Sequence, residues 1–497
     1  MGPRHPVLRE VVVERRAVLR AMGMGTVAAA LAACGGGGDG GDGQRAGRGR
    51  PVRPADSVRP YDPDRSYWEQ GNFAAVQEEV TETGLEVSGA IPSSLTGLYV
   101  RNGSNPPTGR SPHWFLGDGM VHGVRLEDGR AAWYRNRWVG TTMHTAGQEF
   151  AEAGVPGRDV NQSNVALAAH AGRLLTLGEV GWPYEIATDD LSTVGPWDFG
   201  GRLATAMTAH PKIDPQTGEL WFIGYNLLSA SVDVHTVDPS GELVRTERVM
   251  LPSPVMMHDF QLTPNYVVLL DLPIVFDIDM AIDGAPFPFR WAPENGARLG
   301  LMPRNATDVR WFEIDPCYVF HTLNAYEDDD RVVLDVIRYS EMWAAGVDDF
   351  SGAGNVWRYS LDLARGASSL DQLDDRRVEM PRIDPRLQGT RHRYAYAMAT
   401  GPMGNEGNGR SILYKYDLSA GTATEHRMPG GMLTDEAVFV PAAGGAEDEG
   451  FLIGYAYDGG AKKSELHVLD ARDMNELARV RLPSRVPFGF HGLWLPA

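Results

Sequence analysis

From about residue 85 to the C-terminus the chain is written in short apolar or alternating runs broken by turn dipeptides. Gly97–Val100, Arg173–Leu177, Glu219–Ile223, Tyr266–Leu270, Arg331–Val336 and Phe451–Tyr455 are such runs. Asp128-Gly129, Asp214-Pro215-Gln216-Thr217-Gly218 and Pro239-Ser240-Gly241 mark turns between them. Long stretches of helical period are scarce. Short β-prone runs bounded by Gly, Pro and Asp predict strands. So many in one chain predict an all-β fold gathered into a single closed assembly.

The first 60 residues follow another pattern. Arg15-Arg16 precede an apolar, small-residue run from Ala17 to Ala33, interrupted by Arg20, and Leu31-Ala32-Ala33-Cys34 closes it. A paired arginine, a short apolar region and small residues before the cleavage point are features of an export signal. The run is too short and alanine-rich for a spanning helix. Leu-Ala-Ala-Cys also resembles a bacterial lipobox, in which Cys34 becomes the lipidated first residue; the alternative is a plain cleaved signal with an incidental cysteine. Residues 35–60 are Gly, Arg, Asp and Pro with little that is apolar, the composition of a flexible tether. The expected division is an export signal over 1–34, a tether over 35–60 and one domain over 61–497. Such a protein is exported, anchored to the outer face of the cytoplasmic membrane or periplasmic, and a monomer. With Cys34 lipidated, Cys317 is the only thiol left and no intramolecular disulfide can form.

Composition changes this picture little. There are 46 basic and 65 acidic residues, a net charge of -19 over 497 residues. Such a surface repels phosphate backbones and argues against nucleic acid as a partner.

Four of the 13 histidines stand in unusual settings. His210 ends a run and is followed by Pro-Lys-Ile-Asp. His258 lies in Val-Met-Met-His-Asp-Phe, His321 in Val-Phe-His-Thr-Leu-Asn, and His491 in Phe-Gly-Phe-His-Gly-Leu-Trp. An unpaired imidazole among large apolar neighbours is costly. Burial of this kind suits a neutral metal ligand whose other nitrogen donates to a carboxylate. Glu179 follows an apolar run, Glu379 precedes Met380-Pro381, and Glu436 precedes Ala437–Pro441. Each is a candidate buried anion in need of a strong donor; the alternative is an exposed acid at a strand end.

From about residue 80 onward the chain resembles the carotenoid cleavage oxygenases. The resemblance is carried by Gly97-Leu98-Tyr99-Val100-Arg101-Asn102-Gly103, by Trp114-Phe115-Leu116-Gly117-Asp118-Gly119-Met120-Val121-His122-Gly123, and by the four histidine contexts in order. It implies a seven-bladed β-propeller, with loops and short helices forming a dome over the metal-bearing face, and iron(II) on the axis. It implies His210, His258, His321 and His491 as ligands and Glu179, Glu379 and Glu436 as carboxylates fixing three of the rings, His210 being the ring without one. The implied reaction splits a conjugated carbon–carbon double bond with dioxygen and yields two carbonyl products. No further catalytic acid or base is required. Phe115, Val165, Trp182, Phe289 and Trp291 are candidate linings of a substrate tunnel.

These positions are also evenly spaced. The steps from His210 through His258, His321, Glu379 and Glu436 to His491 are 48, 63, 58, 57 and 55 residues. One polar residue per blade on each innermost strand would point all six at the axis. The ladder is read at positions that the resemblance also marks, so it supports that reading without being independent of it.

Three departures from the family pattern stand out, of which the first, outside the metal set, affects only a local turn. Leu116 stands where the family usually has an acid. Val165 aligns with a threonine that in some members crowds an open iron position. Relatives that cleave lignin-type stilbenes grip the phenol with a lysine shortly after the segment Tyr134–Val139; here Gly140-Thr141-Thr142-Met143-His144 contains none. The preferred substrate is a hydrophobic polyene, a carotenoid or apocarotenoid. A stilbene or phenylpropenoid is the second reading, and an anchored ligand-binding propeller without turnover the third. Membrane association through the lipid anchor or an apolar rim is expected.

Overall fold

A computed structural model of the protein describes residues 61–148, 158–401 and 409–497. The export signal, the tether and Cys34 lie outside them. Within the described residues seven antiparallel sheets form the blades of a propeller. The first orders Ala166–His170, Arg173–Leu177, Tyr184–Ile186 and Thr193–Pro196 from the axis outward. The second runs from Lys212–Ile213 through Leu220–Asn226 and Ser231–Val237 to Leu243–Met250, and the third from Gln261–Leu262 through Tyr266–Asp271 and Ala297–Pro303 to Arg310–Ile314. The fourth begins with Tyr318–Asp328 and the fifth with Val378–Arg382.

The last two blades combine distant parts of the chain. Val87–Gly89 adds to the outer edge of the sixth, beside Glu476–Arg481. In the seventh the C-terminal strand Gly492–Pro496 is innermost and pairs with Gly97–Ser104, from Gly97 opposite Pro496 to Arg101 opposite Gly492. The ring is therefore closed by backbone hydrogen bonds between segments far apart in the chain. Cys317 is a buried free thiol and takes no part in closure.

The strand runs read from the sequence are each the second strand from the axis in their blade, where both faces are covered by neighbouring blades. Leu220–Tyr225, Val267–Asp271 and Val332–Ile337 are buried throughout. Burial on both faces explains near-continuous apolar runs in place of strict alternation. Outer strands alternate instead, as Leu243–Met250 does.

The six evenly spaced residues stand at or near the entries of six consecutive innermost strands, and Val165, just before Ala166–His170, holds the corresponding place in the first blade. The glycine-containing motifs near residues 97–123 serve this assembly. A Cβ on Gly119 would lie 2.3 Å from the Ser163 carbonyl oxygen. Asn102 donates to the carbonyls of Ser163 (2.8 Å) and Ala166 (3.2 Å), while its own N–H donates to His491 O (3.0 Å). One residue thus laces the C-terminal strand to the first blade.

Short helices and loops cover one end of the ring. They include Thr142–Ala146, capped by Thr141, Ile278–Ile282, capped by Asp277, and the turn Trp114–Leu116. A hairpin of Ile274–Phe276 and Phe289–Trp291 is inserted between the second and third strands of the third blade.

Candidate metal centre

The four histidines converge on the propeller axis from blades two, three, four and seven. One nitrogen from each of His210, His258 and His321 lies within 4.8 Å of the others. The Nε2 of His491 is 3.1 Å from that of His321, and the Nε2 atoms of His210 and His258 are 3.0 Å apart. Ring centroids of His210 and His491 are 4.7 Å apart, so the set closes.

Local irregularities aim these side chains. Between Val319 and Thr322 the inner strand of the fourth blade advances three residues against its partner's two, a bulge that holds Phe320 and His321. A second bulge lies between Glu379 and Arg382, where Met380 adopts a φ of +54°. Bulges re-aim side chains at the cost of one ladder pair, and strained backbone of this kind persists where its surroundings fix it. Here it turns Glu379 inward, where its Oε2 accepts the Met380 N–H at 2.7 Å.

Three rings are held by carboxylates. His258 Nδ1 donates to Glu179 Oε2 (3.0 Å), His321 Nδ1 to Glu379 Oε2 (2.6 Å) and His491 Nδ1 to Glu436 Oε1 (2.8 Å). His210 makes no such bond among the described residues. Each carboxylate has a further donor: Tyr225 OH to Glu179 (2.9 Å), Tyr339 OH to Glu379 (2.9 Å), and Arg382, through two bonds of 2.9 Å, to Glu436. Burial pushes the Glu379 carboxyl up, but His321, the Met380 N–H and Tyr339 outweigh it and hold it below its ordinary value. Glu436 is likewise held well below its ordinary value, burial being opposed by Arg382 and His491. Burial lowers His210 well below the usual imidazole range, and the neighbouring rings and Lys212 lower it further. For His258 burial is overcome by Glu179, which raises it.

The donor set fits a divalent cation. A carboxylate accepts from Nδ1 of His258, His321 and His491, so that nitrogen carries the proton and Nε2 presents a lone pair. His321 and His491 then face each other with two lone pairs 3.1 Å apart. Two buried acceptors at that distance repel unless a cation lies between them. Neutral imidazoles suit borderline ions such as iron, copper, nickel and zinc.

Beneath the ligands, Lys212 Nζ is 2.7 Å from Asp259 Oδ1, and Asp259 Oδ2 accepts the Thr322 N–H (2.9 Å) and hydroxyl (2.7 Å). One carboxylate thereby ties the strands that carry His210, His258 and His321.

On the other side lies a cluster of aromatic rings. Phe320 stands perpendicular to His258 at 5.5 Å. Phe115 is 6.4 Å from Phe320 and 5.6 Å from Phe490, and Phe287 and Phe350 lie 5.9 and 5.7 Å from Phe115. Of the candidate tunnel residues, Phe115 is central to this cluster and Phe289 joins it through Phe287 (4.9 Å). Val165 is buried at the first-blade position on the axis. Trp182 turns its indole N–H to Leu203 O (3.0 Å), in the link between the first two blades, and Trp291 is half-buried on the inserted hairpin. Phe320 and Phe490, which in the sequence are only apolar neighbours of His321 and His491, join this cluster, and the signal for them is their place immediately before those histidines. Tyr225, Tyr339 and Arg382 carry no signal of their own, being ordinary strand residues until the fold brings them to a glutamate.

The profile of the retinal pigment epithelial membrane protein family matches residues 73–496. The chain is 39% identical over 488 positions to a carotenoid cleavage oxygenase of Mycobacterium tuberculosis, covering 86% of this chain and 97% of that one. It is 33% identical over 490 positions to a carotenoid 9,10(9',10')-cleavage dioxygenase of Pisum sativum, covering 86% and 90%. Among solved structures it is similar to a lignostilbene dioxygenase of Pseudomonas brassicacearum, with a TM-score of 0.80, 27% identity and coverage of 87% and 99%. It is similar also to the cobalt-substituted apocarotenoid oxygenase of Synechocystis, with a TM-score of 0.78, 27% identity and coverage of 88% and 100%. This chain belongs to the retinal pigment epithelial membrane protein family, that of the carotenoid cleavage oxygenases, which split carbon–carbon double bonds as dioxygenases.

Proposed function

We propose that the protein is an iron(II)-dependent dioxygenase that cleaves one conjugated double bond of a carotenoid or apocarotenoid, placing one atom of O2 on each of two carbonyl products. The observation that carries this reading is the convergence of four imidazoles, three locked by carboxylates, beside a cluster of phenylalanine rings that would wall a substrate chamber. His210, His258, His321 and His491 would hold the ion, and Glu179, Glu379 and Glu436 would keep their partner rings in the metal-binding tautomer. Iron(II) bound there would supply the open positions and the electrons that dioxygen needs to react with an alkene.

The rest falls to the chain's own residues. Phe320, Phe115 and Phe490 offer ring faces and edges to a planar polyene and leave water no hydrogen-bonding partner. Apolar walls orient such a substrate by shape alone. Val165, whose carbonyl accepts the His491 N–H at 3.1 Å, would add a small apolar side chain beside the four rings, without a hydroxyl. Product release needs no proton transfer, in keeping with a chamber wall of phenylalanine rings that offers no acid–base pair.

The test is conversion of an apocarotenal by the iron-loaded protein under 18O2. Two shorter carbonyl products, each bearing one labelled oxygen, are expected; inertness of the iron form toward a broad polyene panel would sink the reading. A stilbene substrate is the second reading, motivated by the similarity to the lignostilbene dioxygenase. Against it, residues 140–144 hold no lysine, and His144 in that stretch is occupied by Asp118 at 2.7 Å. Turnover of a 4-hydroxystilbene faster than of any polyene would favour it.

Export with lipidation of Cys34 belongs to the same proposal and rests on the N-terminal sequence alone. An anchor of that kind would keep the chamber near membrane-dissolved substrate. Mass spectrometry of the mature N-terminus decides it: a diacylglyceryl-modified Cys34 is expected, and an unmodified or uncleaved terminus refutes it.

A further inference from the structure

The three carboxylates of the cage are not equivalent. Glu179 and Glu379 are each supported by a neutral tyrosine hydroxyl, Tyr225 and Tyr339. Glu436 alone is supported by a cation. Arg382 Nε and Nη2 meet its two oxygens at 2.9 Å each, and Nη2 also donates at 2.9 Å to the carbonyl of Gly492, the residue after His491. Glu436 is almost wholly buried, its side chain 1% exposed. Among the described residues Arg382 is the one cation in hydrogen-bond contact with these carboxylates. The nearby Lys212 is neutralised by Asp259.

Tyrosine keeps a carboxylate's full charge, whereas a bidentate guanidinium cancels it. The cage is then two negative charges and not three. We propose that Arg382 sets this charge, matching the cage to a divalent ion, and is a positioning residue that holds Glu436 in register with His491. A cage of charge 2- leaves a buried divalent ion neutral, while the trivalent ion would carry an uncompensated positive charge in a low-dielectric site. Arg382 therefore favours the reduced ion, the state that can engage dioxygen. The inference rests on the iron(II) reading and concerns Arg382, a residue that reading leaves without a role.

The test is a double-mutant cycle on the full chain: wild type, Arg382→Met, Glu436→Gln and the double variant. Each is loaded anaerobically with iron(II), and metal content is measured. The protein is then equilibrated with a redox mediator at fixed poise, each iron(II) oxidised giving one electron to the mediator, and iron(III) is counted by electron paramagnetic resonance. Arg382→Met, with a cage of 3-, is expected to raise the ferric-to-ferrous ratio by about tenfold or more, some 59 mV for one electron. Glu436→Gln is expected to lower the ratio, and the double variant to return near wild type. A structural role alone would change metal content and leave the poise unmoved. If Arg382→Met does not fold, the comparison of Glu436→Gln with the double variant reads the same arginine. An unchanged ratio on removing Arg382 in every background that folds overturns the inference while iron remains bound. Failure of the wild type to bind iron overturns the iron reading, and the inference with it.

Discussion

The two sides of the histidine plane are built from opposite chemistries. Phe320 and Phe490 come immediately before His321 and His491, and with Phe115 they form the aromatic side. Asp259, Thr322 and Gly492 come immediately after His258, His321 and His491, and their contacts run to Lys212, to one another and to Arg382. In a propeller the innermost strands run in one direction, so the residue before a ligand lies on one side of the ring and the residue after it on the other. The difference teaches a division of labour. The side after the ligands fixes charge and ring orientation in hydrogen bonds that tolerate little change. The side before them is dispersion and shape, which tolerates substitution as long as volume is kept.

Removing one of the four histidines breaks both sides at once and has the largest expected effect. His258→Ala or His491→Ala should lose bound metal and turnover together, read by elemental analysis and product formation. Retained turnover in a metal-free variant would mean that the four rings are not the centre of the chemistry. A step down, Glu379→Gln keeps the shape of the polar side but removes the charge that His321 donates to. Metal affinity is expected to fall about 10- to 100-fold, measured by competition with a chelator. An effect of that size confined to the polar side, with product identity unchanged, would sharpen the division.

The same division governs how far the molecule is legible in its sequence. The blades are legible because inner strands buried on both faces leave apolar runs such as Leu220–Tyr225. The ladder of histidines and glutamates is legible because one residue per blade recurs at steps of 48 to 63 residues. Glu379, flanked by Met380-Pro381, lacks local distinctiveness because its placement depends on a bulge and a positive φ, which only the paired strand reveals. Tyr225, Tyr339 and Arg382 are illegible for a related reason: their meaning is a contact across 46, 40 and 54 residues of chain. Closure of the ring is likewise a long-range fact, with Asn102 reaching the strand of His491. The aromatic chamber is half legible. Phe115 stands out in its motif, but Phe287 and Phe350 stand on loops whose positions no periodicity encodes.

On the aromatic side the expected effects are smaller and of another kind. Phe320 is buried and stands against His258. Phe320→Ala should cost about 3–5 kcal/mol of stability and leave metal affinity close to wild type. Its kcat/KM should fall and its cleavage position become less uniform, seen as mixed products on chromatography. Loss of metal in this variant equal to that in Glu379→Gln would erase the distinction between the sides.

The smallest expected effect concerns His113, at the edge of the chamber. Its ring stacks on Phe287 at 4.7 Å and 3°, its Nε2 donates to Val347 O at 3.1 Å, and its Nδ1 accepts the Phe115 N–H at 3.1 Å. Both nitrogens are committed in the neutral form, and a second proton would face the Phe115 N–H. Burial accordingly lowers its pKa to about 4, against weaker upward pulls from the Val347 carbonyl and Asp348. The folded state thus binds fewer protons than the unfolded state, whose imidazole titrates near 6.5. Stability is full above about pH 6.5 and is lost as pH falls through the window to about pH 4. At pH 5 the cost from this one group is on the order of 2 kcal/mol. His113→Asn keeps an acceptor for Phe115 and has nothing to titrate. Its urea midpoint should lie below wild type at pH 7.5, since the stack on Phe287 is lost, yet fall less between pH 7.5 and 5. Parallel declines in the two proteins would show that His113 takes up its proton without disturbing the chamber edge, and the apolar side would then be less strict than its packing suggests.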